Sequence, residues 1–418
     1  MSKPMMTTAQ IFSRCSLFFA VTLVATAEPL ALEEAWQRVL GASSEARVLA
    51  DERAAIEGET QQAGRLPNPS LSSELEEMGV KRPYRGFDDA SLTVQLRQEY
   101  IRKAKRTAAQ GFAAAQNPVA EADYLLRVAE LRQRVVTAYR ALQVAQERTR
   151  LAGQSVEIAR RITDTVQRQN EAGQASGLDL SLARLQFAAE TAKLEAATVA
   201  RSQAQRALAA QWGEWLSDGT ELVAAAFHAV ETMSPLEKLR ESLATGPDLR
   251  RLDAETELRA RAVEFEKSRN VRDLTLTGGV RYDRRGADAT ALLGVEVPLL
   301  VYNRNEGGIA AARARERQLQ QRKAALRLTL EAELAARHAG WVTARSEARA
   351  LEQDIIPAAD EVVTRNEAAF NQGQGSLLQV LEAQRTLVDA RERRLDALER
   401  QLLAGVAIER LTGHPVQP

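Results

Sequence analysis

One turn is written twice in this 418-residue chain. The stretch GQASGLDLSLA begins at Gly173, and GQGSLLQVLEA begins at Gly373, 200 positions later. Both carry Gly-Gln-x-Ser, and Leu178 matches Leu378 and Ala183 matches Ala383 at the same offset. Further on, Ala207 meets Ala407 and Gly213 meets Gly413. Upstream, QEYIRKAKR from Gln98 falls against PLLVYNRNE from Pro298, and PSLSSEL from Pro69 lies near RDLTLTG from Arg272. A unit of about 200 residues is far too long for a solenoid repeat. The chain reads as a tandem duplication, so both halves must suit one local fold.

The halves are expected at 28–213 and 236–413, with an irregular linker at 214–235 and a short tail at 414–418. Each runs helix, two strands, long helix, turn, helix. Scarce aromatics and abundant Ala, Leu, Arg, Glu and Gln favour long helices. In the first half, Val128, Leu131, Val135, Ala138, Leu142 and Ala145 open a seam in steps of three and four that continues to Val166. That is coiled-coil spacing. A second line, Val144, Leu151 and Ile158, repeats every seven on an adjacent face and predicts a second neighbour. The matching helix of the second half is expected from Glu306 to Asn371, kinked at Pro357 because proline removes a backbone bond and clashes with the preceding turn.

The repeated turns have a local reading. Ser176 with Asp179, and Ser376 with Gln379, fit capping boxes at hairpin tips near 171–178 and 371–378. Gly173, Gly373 and Gly375 precede the caps and are expected to take left-handed backbone angles.

The N-terminus has the form of an export signal. Lys3 and Arg14 precede the apolar run Leu17–Val24, and Ala25-Thr26-Ala27 supplies a small-x-small cleavage site, giving a signal peptide at 1–27. The alternative, an uncleaved anchor, is disfavoured because the run is short for a bilayer. The lone cysteine, Cys15, would leave with the signal.

Four segments of about ten residues have strand character: 69–78, 90–98, 272–284 and 289–298. In the second, Leu92, Val94 and Leu96 alternate with Thr93, Gln95 and Arg97. A small soluble sheet lying on the helices would share this pattern. Four strands are too few to close a membrane barrel, and open edges are not tolerated in lipid. A membrane reading therefore requires several chains to share one barrel. Tyr84, Phe87, Tyr100, Tyr282 and Tyr302 lie near strand ends, where interfacial aromatics belong.

With these features in hand, the chain resembles the TolC family of trimeric outer-membrane efflux ducts over nearly its whole mature length. FNQGQGSLLQVLEAQRTLVDARERRLDALERQLLAGVAIERLTG from Phe370 carries the resemblance furthest. LPNPSLSSELEE, QEYIRKAKR and PLLVYNRNEGGIAAA resemble the CzcC-type heavy-metal efflux group, although Lys103 and Ala104 stand where that group often has Pro and usually has Gly. The resemblance implies a mainly α fold with a twelve-stranded barrel shared by a homotrimer in outer-membrane lipid, and a helical tunnel through the periplasm. It implies a passive conduit that meets a periplasmic adaptor and an inner-membrane resistance-nodulation-division pump, with heavy-metal cations as the favoured cargo and organic compounds as the alternative.

On this resemblance, Gly173, Ser176, Gly373, Gly375 and Ser376 form the adaptor-facing tips. Family gates carry acids six and nine residues after the glycine that opens the second turn; counted from Gly373 these positions are Gln379, which is not acidic, and Glu382, and Asp179 is the first-half counterpart of Gln379. Simple capping accounts for Asp179, and a solvated surface position accounts for Glu382, as competing readings. Arg102, Lys103, Lys105, Arg106 and Arg304 would meet head groups at the membrane rim, or else are ordinary solvated turn residues.

Balanced charge argues against nucleic acid as a partner. Three scattered histidines give no metal-ligand spacing, and no cofactor is implied. No Ser-His-Asp order and no Walker lysine supports an enzyme. A soluble periplasmic coiled-coil scaffold or adaptor is the reading from another class, but it would not need four strands at equivalent places.

Overall fold

The computed structural model describes residues 30–79, 86–87, 89–213 and 232–414. The expected signal peptide, positions 214–231 of the expected linker, Tyr84 and the tail beyond His414 lie outside the described residues. The first half contains α1 (Leu32–Ala42), α2 (Glu45–Ala63), β1 (Ser70–Glu76), β2 (Ser91–Tyr100), α3 (Lys103–Ala114), α4 (Gln116–Glu171) and α5 (Gly177–Ala209). The second contains α6 (Leu236–Leu243), α7 (Pro247–Ser268), β3 (Leu274–Asp283), β4 (Asp288–Glu296), α8 (Glu306–Ala350), a π-helical turn (Leu351–Ile355), α9 (Ile356–Asn371) and α10 (Leu377–Thr412).

The heptad seam holds. Val135, Leu142, Ala145, Ala159 and Val166 are buried in α4, which packs along α5. At 56 residues, α4 is roughly 80 Å long. The second line also finds its neighbour. Helix α10 packs on α4, and Leu151 and Ile158 line a cleft there with Arg391 and Leu395 of α10. Helix α10 in turn packs against α8 and α9. The helices thus form one layer in the order α5, α4, α10, α8–α9.

The long helix expected at 306–371 is interrupted rather than simply kinked. The Ile356 N–H bonds to the Leu351 carbonyl five residues back, a π-type turn. Pro357 follows in the first turn of α9, where its missing N–H is tolerated. The inward line Trp341, Ala344, Ala348, Leu351 moves by three or four, then steps to Ile356. The wide turn takes up the extra residue, and Ala359 and Val363 resume the packing against Ala383 and Leu387 of α10.

Two equivalent cores anchor the upper ends of the hairpins. In the first half, Trp36 and Val39 of α1 meet Val135, Tyr139 and Leu142 of α4 and Leu208 near the end of α5. The Tyr139 hydroxyl donates to the Leu30 carbonyl at 2.8 Å, so its burial leaves no orphan polar group. In the second half, Leu239 and Leu243 of α6 meet Leu330 and Leu334 of α8 and Ile408 and Leu411 of α10. Gly213 and Gly413 end the two halves with left-handed φ of 77° and 71°.

The four strands form one antiparallel sheet in the order β1-β2-β3-β4. Its polarity is inverted relative to a soluble sheet. In β2, Ser91 and Thr93 are 0% and 8% exposed, while Leu92 and Leu96 on the opposite face are 41% and 50% exposed. The register aligns Leu71, Leu96, Gly278 and Leu293 across the sheet, and beside them Leu75, Leu92, Tyr282 and Ala289. The other face aligns Ser72, Gln95 and Gly279, and Glu74, Thr93, Arg281 and Thr290. One face is apolar and open; the other is polar. The edges β1 and β4 have no partner strand among the described residues.

Candidate functional site

The two tips have the same construction. Gly173 and Gly373 both take φ of 73°. The Gln174 N–H reaches the Gln169 carbonyl at 2.7 Å, and the Gln374 N–H reaches the Ala369 carbonyl at 2.9 Å. This six-to-one bond needs the left-handed residue before it, which glycine adopts without strain. Gly375 departs from expectation. It does not share the positive φ, and Ala175 occupies its place in the sister turn. The close approach of the Phe370 amide, 3.2 Å from where a Cβ would sit, favours a small residue there.

Both capping boxes form. Ser176 Oγ accepts from the Asp179 N–H at 3.1 Å, and the Ser176 N–H donates to Asp179 Oδ2 at 3.0 Å. Ser376 and Gln379 repeat the pair at 3.3 and 3.0 Å. The Ser176 hydroxyl also lies 2.6 Å from the Asp179 carboxylate. Asp179 and Gln379 are therefore occupied in capping. Glu382 differs: it is exposed, one turn further along α10, and makes no ion pair among the described residues.

The tips lie side by side. Val166 of α4, Ala183 of α5 and Leu377 of α10 are buried in one cluster, joined by Phe370 of α9 and Leu180 of α5. The sequence motif 200 residues apart thus becomes a single end of the molecule.

Above the tips, ion pairs tie the hairpins together. Arg148 of α4 reaches Asp396 at 2.5 Å and Glu399 at 3.1 Å on α10. Burial works against the Arg148 charge, but these two carboxylates hold its pKa above the ordinary value. Within the second hairpin, Arg394 of α10 bonds Glu352 of the π turn at 2.7 Å. The cleft between α4 and the α9–α10 pair has a volume of about 880 Å3. On its wall, a hydrogen bond from Arg150 holds Glu147 below the usual carboxylate range against the effect of burial.

The expected rim cations divide. Lys105 pairs with Asp273, and Arg106 donates to the Ile101 and Gly64 carbonyls at 3.2 and 3.0 Å. These two clasp the strand-to-helix junction from within. Arg102 and Lys103 are exposed, as is Arg304, which lies 3.4 Å from the Leu300 carbonyl. Phe87, Tyr100, Tyr282 and Tyr302 are all exposed near strand ends. Among the described residues, no group of His, Cys, Asp and Glu could hold a metal ion, and no helix is long and apolar enough to cross a membrane.

A sheet with its apolar face outward, carried on helical hairpins one of whose arms, α4, runs roughly 80 Å, defines a membrane-embedded barrel segment continued by a helical conduit. This is an outer-membrane channel. The family model for the outer membrane efflux protein matches residues 36–214 and again 239–414, once per half, and the chain belongs to that family. It is 29% identical over 387 residues to the cobalt-zinc-cadmium resistance protein CzcC of Cupriavidus metallidurans, covering 93% of this chain and 91% of that protein. Among solved structures it is similar to CusC, with a TM-score of 0.75, 14% identity and 92% of each chain covered. It is likewise similar to VceC from Vibrio cholerae, with a TM-score of 0.72, 16% identity, and 92% of this chain and 97% of that chain covered.

Proposed function

We propose that this chain is the passive outer-membrane duct of a tripartite exporter, and that its cargo is heavy-metal cations. The inverted sheet with two open edges carries the duct reading. In lipid, β1 and β4 must each find a partner strand, because every backbone N–H and C=O needs a bond there. Three chains in a ring supply twelve strands and close the barrel. A periplasmic adaptor at the paired tips and a proton-driven inner-membrane pump complete the assembly.

The metal reading is supported by similarity to a cobalt-zinc-cadmium resistance protein over most of both chains. The polar face of the sheet is consistent with it. That face carries Glu74, Glu76, Glu99, Asp283, Asp288 and Glu296 against Arg97 and Arg281. A pore lined this way favours cations. At the tip, Glu382 is the gate acid, since Asp179 is engaged with Ser176.

Growth of a deletion strain on Zn, Co, Cd, Ni, Cu and Ag salts, beside dyes and antibiotics, tests the cargo. Sensitivity confined to metals is the expected outcome. Sensitivity to organic compounds alone keeps the duct and discards the metal cargo. The duct itself is tested by fractionation: a soluble periplasmic monomer overturns it.

A further inference from the structure

The upper arm of α8 is strongly basic. From Glu306 to Leu330 it carries Arg313, Arg315, Arg317, Arg322, Lys323 and Arg327 against two acids, Glu306 and Glu316. Lys323 pairs with Asp253 of α7, and Arg327 pairs with Glu331. The other four arginines are exposed and have no ion pair among the described residues. The duplication supplies an internal control. At the 200-residue offset the four fall on Ala113, Ala115, Asn117 and Ala122. The first half builds the same part of the tunnel without charge at these places, so the shared fold does not require it.

Their placement around the helix follows from its seam. Ala312, Glu316, Leu319, Lys323, Leu326 and Leu330 step by four and three, and all are buried or half-buried. The upper part of this line faces α7. Lys323 meets Asp253, and Asn305 at the start of α8 donates to Glu266 near the other end of α7. With heptad spacing, Arg313 and Arg315 then stand beside the seam on opposite flanks. Arg317 lies one turn on from Arg313, and Arg322 repeats Arg315 a heptad later. Here α3 packs on α7 and α7 on α8, side by side. A helix in such a one-layer wall turns one flank inward and the other outward. Whichever flank is inward, it carries two arginines without a carboxylate partner.

We propose that one of these pairs, Arg313 with Arg317 or Arg315 with Arg322, faces the lumen and forms an anion-attracting belt. This rests on the trimeric duct above, and does not depend on the metal cargo. Three chains, with two arginines each, place six guanidinium groups in one zone. The zone lies roughly 10 to 25 Å along α8 from its start, at 1.5 Å per residue. Just above it, Glu99 and Glu296 flank Thr275 at the inner end of the polar sheet face. An acidic mouth and a basic belt thus stand in series. Arginine keeps its charge at any working pH, and a cleft lined by one sign of charge concentrates the opposite ion. The belt gathers small inorganic anions, and cations cross it in their company. The charge preference of the duct is therefore set partly below the membrane and not by the barrel alone.

The test measures reversal potentials of the full-length trimer in planar bilayers under a KCl gradient. The dilute side is held near 0.01 M, where the Debye length is roughly 30 Å. Wild type is compared with Arg313→Gln plus Arg317→Gln, and with Arg315→Gln plus Arg322→Gln. One pair is expected to lower the chloride-to-potassium permeability ratio about twofold. The other removes the same charge outside the lumen and should leave the ratio unchanged. No shift from either pair, or equal shifts from both, overturns the belt and leaves the duct standing. Dissociation of the trimer by both pairs assigns these arginines to subunit contacts and also overturns it. Wild-type channels give a readout free of substitutions. Hexacyanoferrate added on the tip side should block them at low salt and be relieved at high salt, and absence of block counts against the belt. A chain that forms no channel overturns the duct itself.

Discussion

The Thr149 hydroxyl of α4 lies 3.2 Å from the Ala197 carbonyl of α5, across the first hairpin. Thr163 repeats the contact with Ala183 at the same distance, two heptads nearer the tip. Each hydroxyl also sits 2.8 Å from a carbonyl in its own helix, Ala145 or Ala159. Small residues opposite the threonines let the two backbones approach closely, which fixes an antiparallel register centred on Gly173.

Enlarging a residue in this seam therefore separates the helices. Ala183 is 1% exposed, and Ala183→Leu is expected to destabilise the hairpin by about 1–3 kcal/mol through overpacking. Thermal melting of the detergent-solubilised protein, followed by helical circular dichroism, reads the loss. An unchanged midpoint would mean that the seam is loosely packed.

The two tip glycines and Gly375 should respond differently. Gly173→Ala and Gly373→Ala place a Cβ on a left-handed backbone, at a cost of about 1–2 kcal/mol each. Gly375→Ala should cost clearly less, since Ala175 already fills that place in the sister turn. Comparing the three melting temperatures checks the order.

The sheet predicts a difference between its faces. Leu293 is mid-strand and 92% exposed on the apolar face, so Leu293→Arg should cost about 2–4 kcal/mol in lipid. Thr290→Arg adds the same charge on the polar face and should be tolerated. Outer-membrane assembly yield compares them, and equal yields would contradict the assigned faces.

At the tip, Glu382→Ala is expected to raise single-channel conductance in planar bilayers or to weaken block by multivalent cations. If neither changes, Glu382 is a solvated surface residue and not a gate acid.

Along α10, Glu392 tests the interhelical charges. Burial raises its pKa, Asp389 and Asp396 of α10 and Glu190 of α5 add to the rise, and Lys193 of α5 opposes it. A carboxyl with a raised folded-state pKa is held more comfortably as the acid. Its ionisation costs stability once the pH exceeds that pKa, and the cost disappears as the pH falls through it. Glu392→Gln should thus raise the melting temperature at neutral pH, with the gain shrinking as the medium is acidified. A gain independent of pH would point to packing instead.

Much of the architecture was legible because its determinants are local. Capping boxes span four residues, and heptad and strand alternation repeat within about ten, so the hairpin tips and the strands could be read directly. The exposed apolar line on α5 carries the same local signal at Leu178, Leu185 and Val199, but its spacing alone does not distinguish it from the face that α5 turns to α4. The π turn was hidden: Pro357 announces a disturbance, but only the need to keep Ala359 against α10 decides that one residue is taken up in a wide turn.

By itself, the sequence determined a duplicated chain of long helices with two like tips and four alternating strands. Tertiary structure alone decided which strand face is open, that Lys105 is held by Asp273 across the duplication, and that Asp179 is engaged while Glu382 has no ion pair among the described residues. Periodicity states that a strand or helix has two faces but is indifferent to which one meets protein, because that depends on partners far along the chain. Lys105 and Asp273 are 168 residues apart, and no short-range pattern encodes such a meeting.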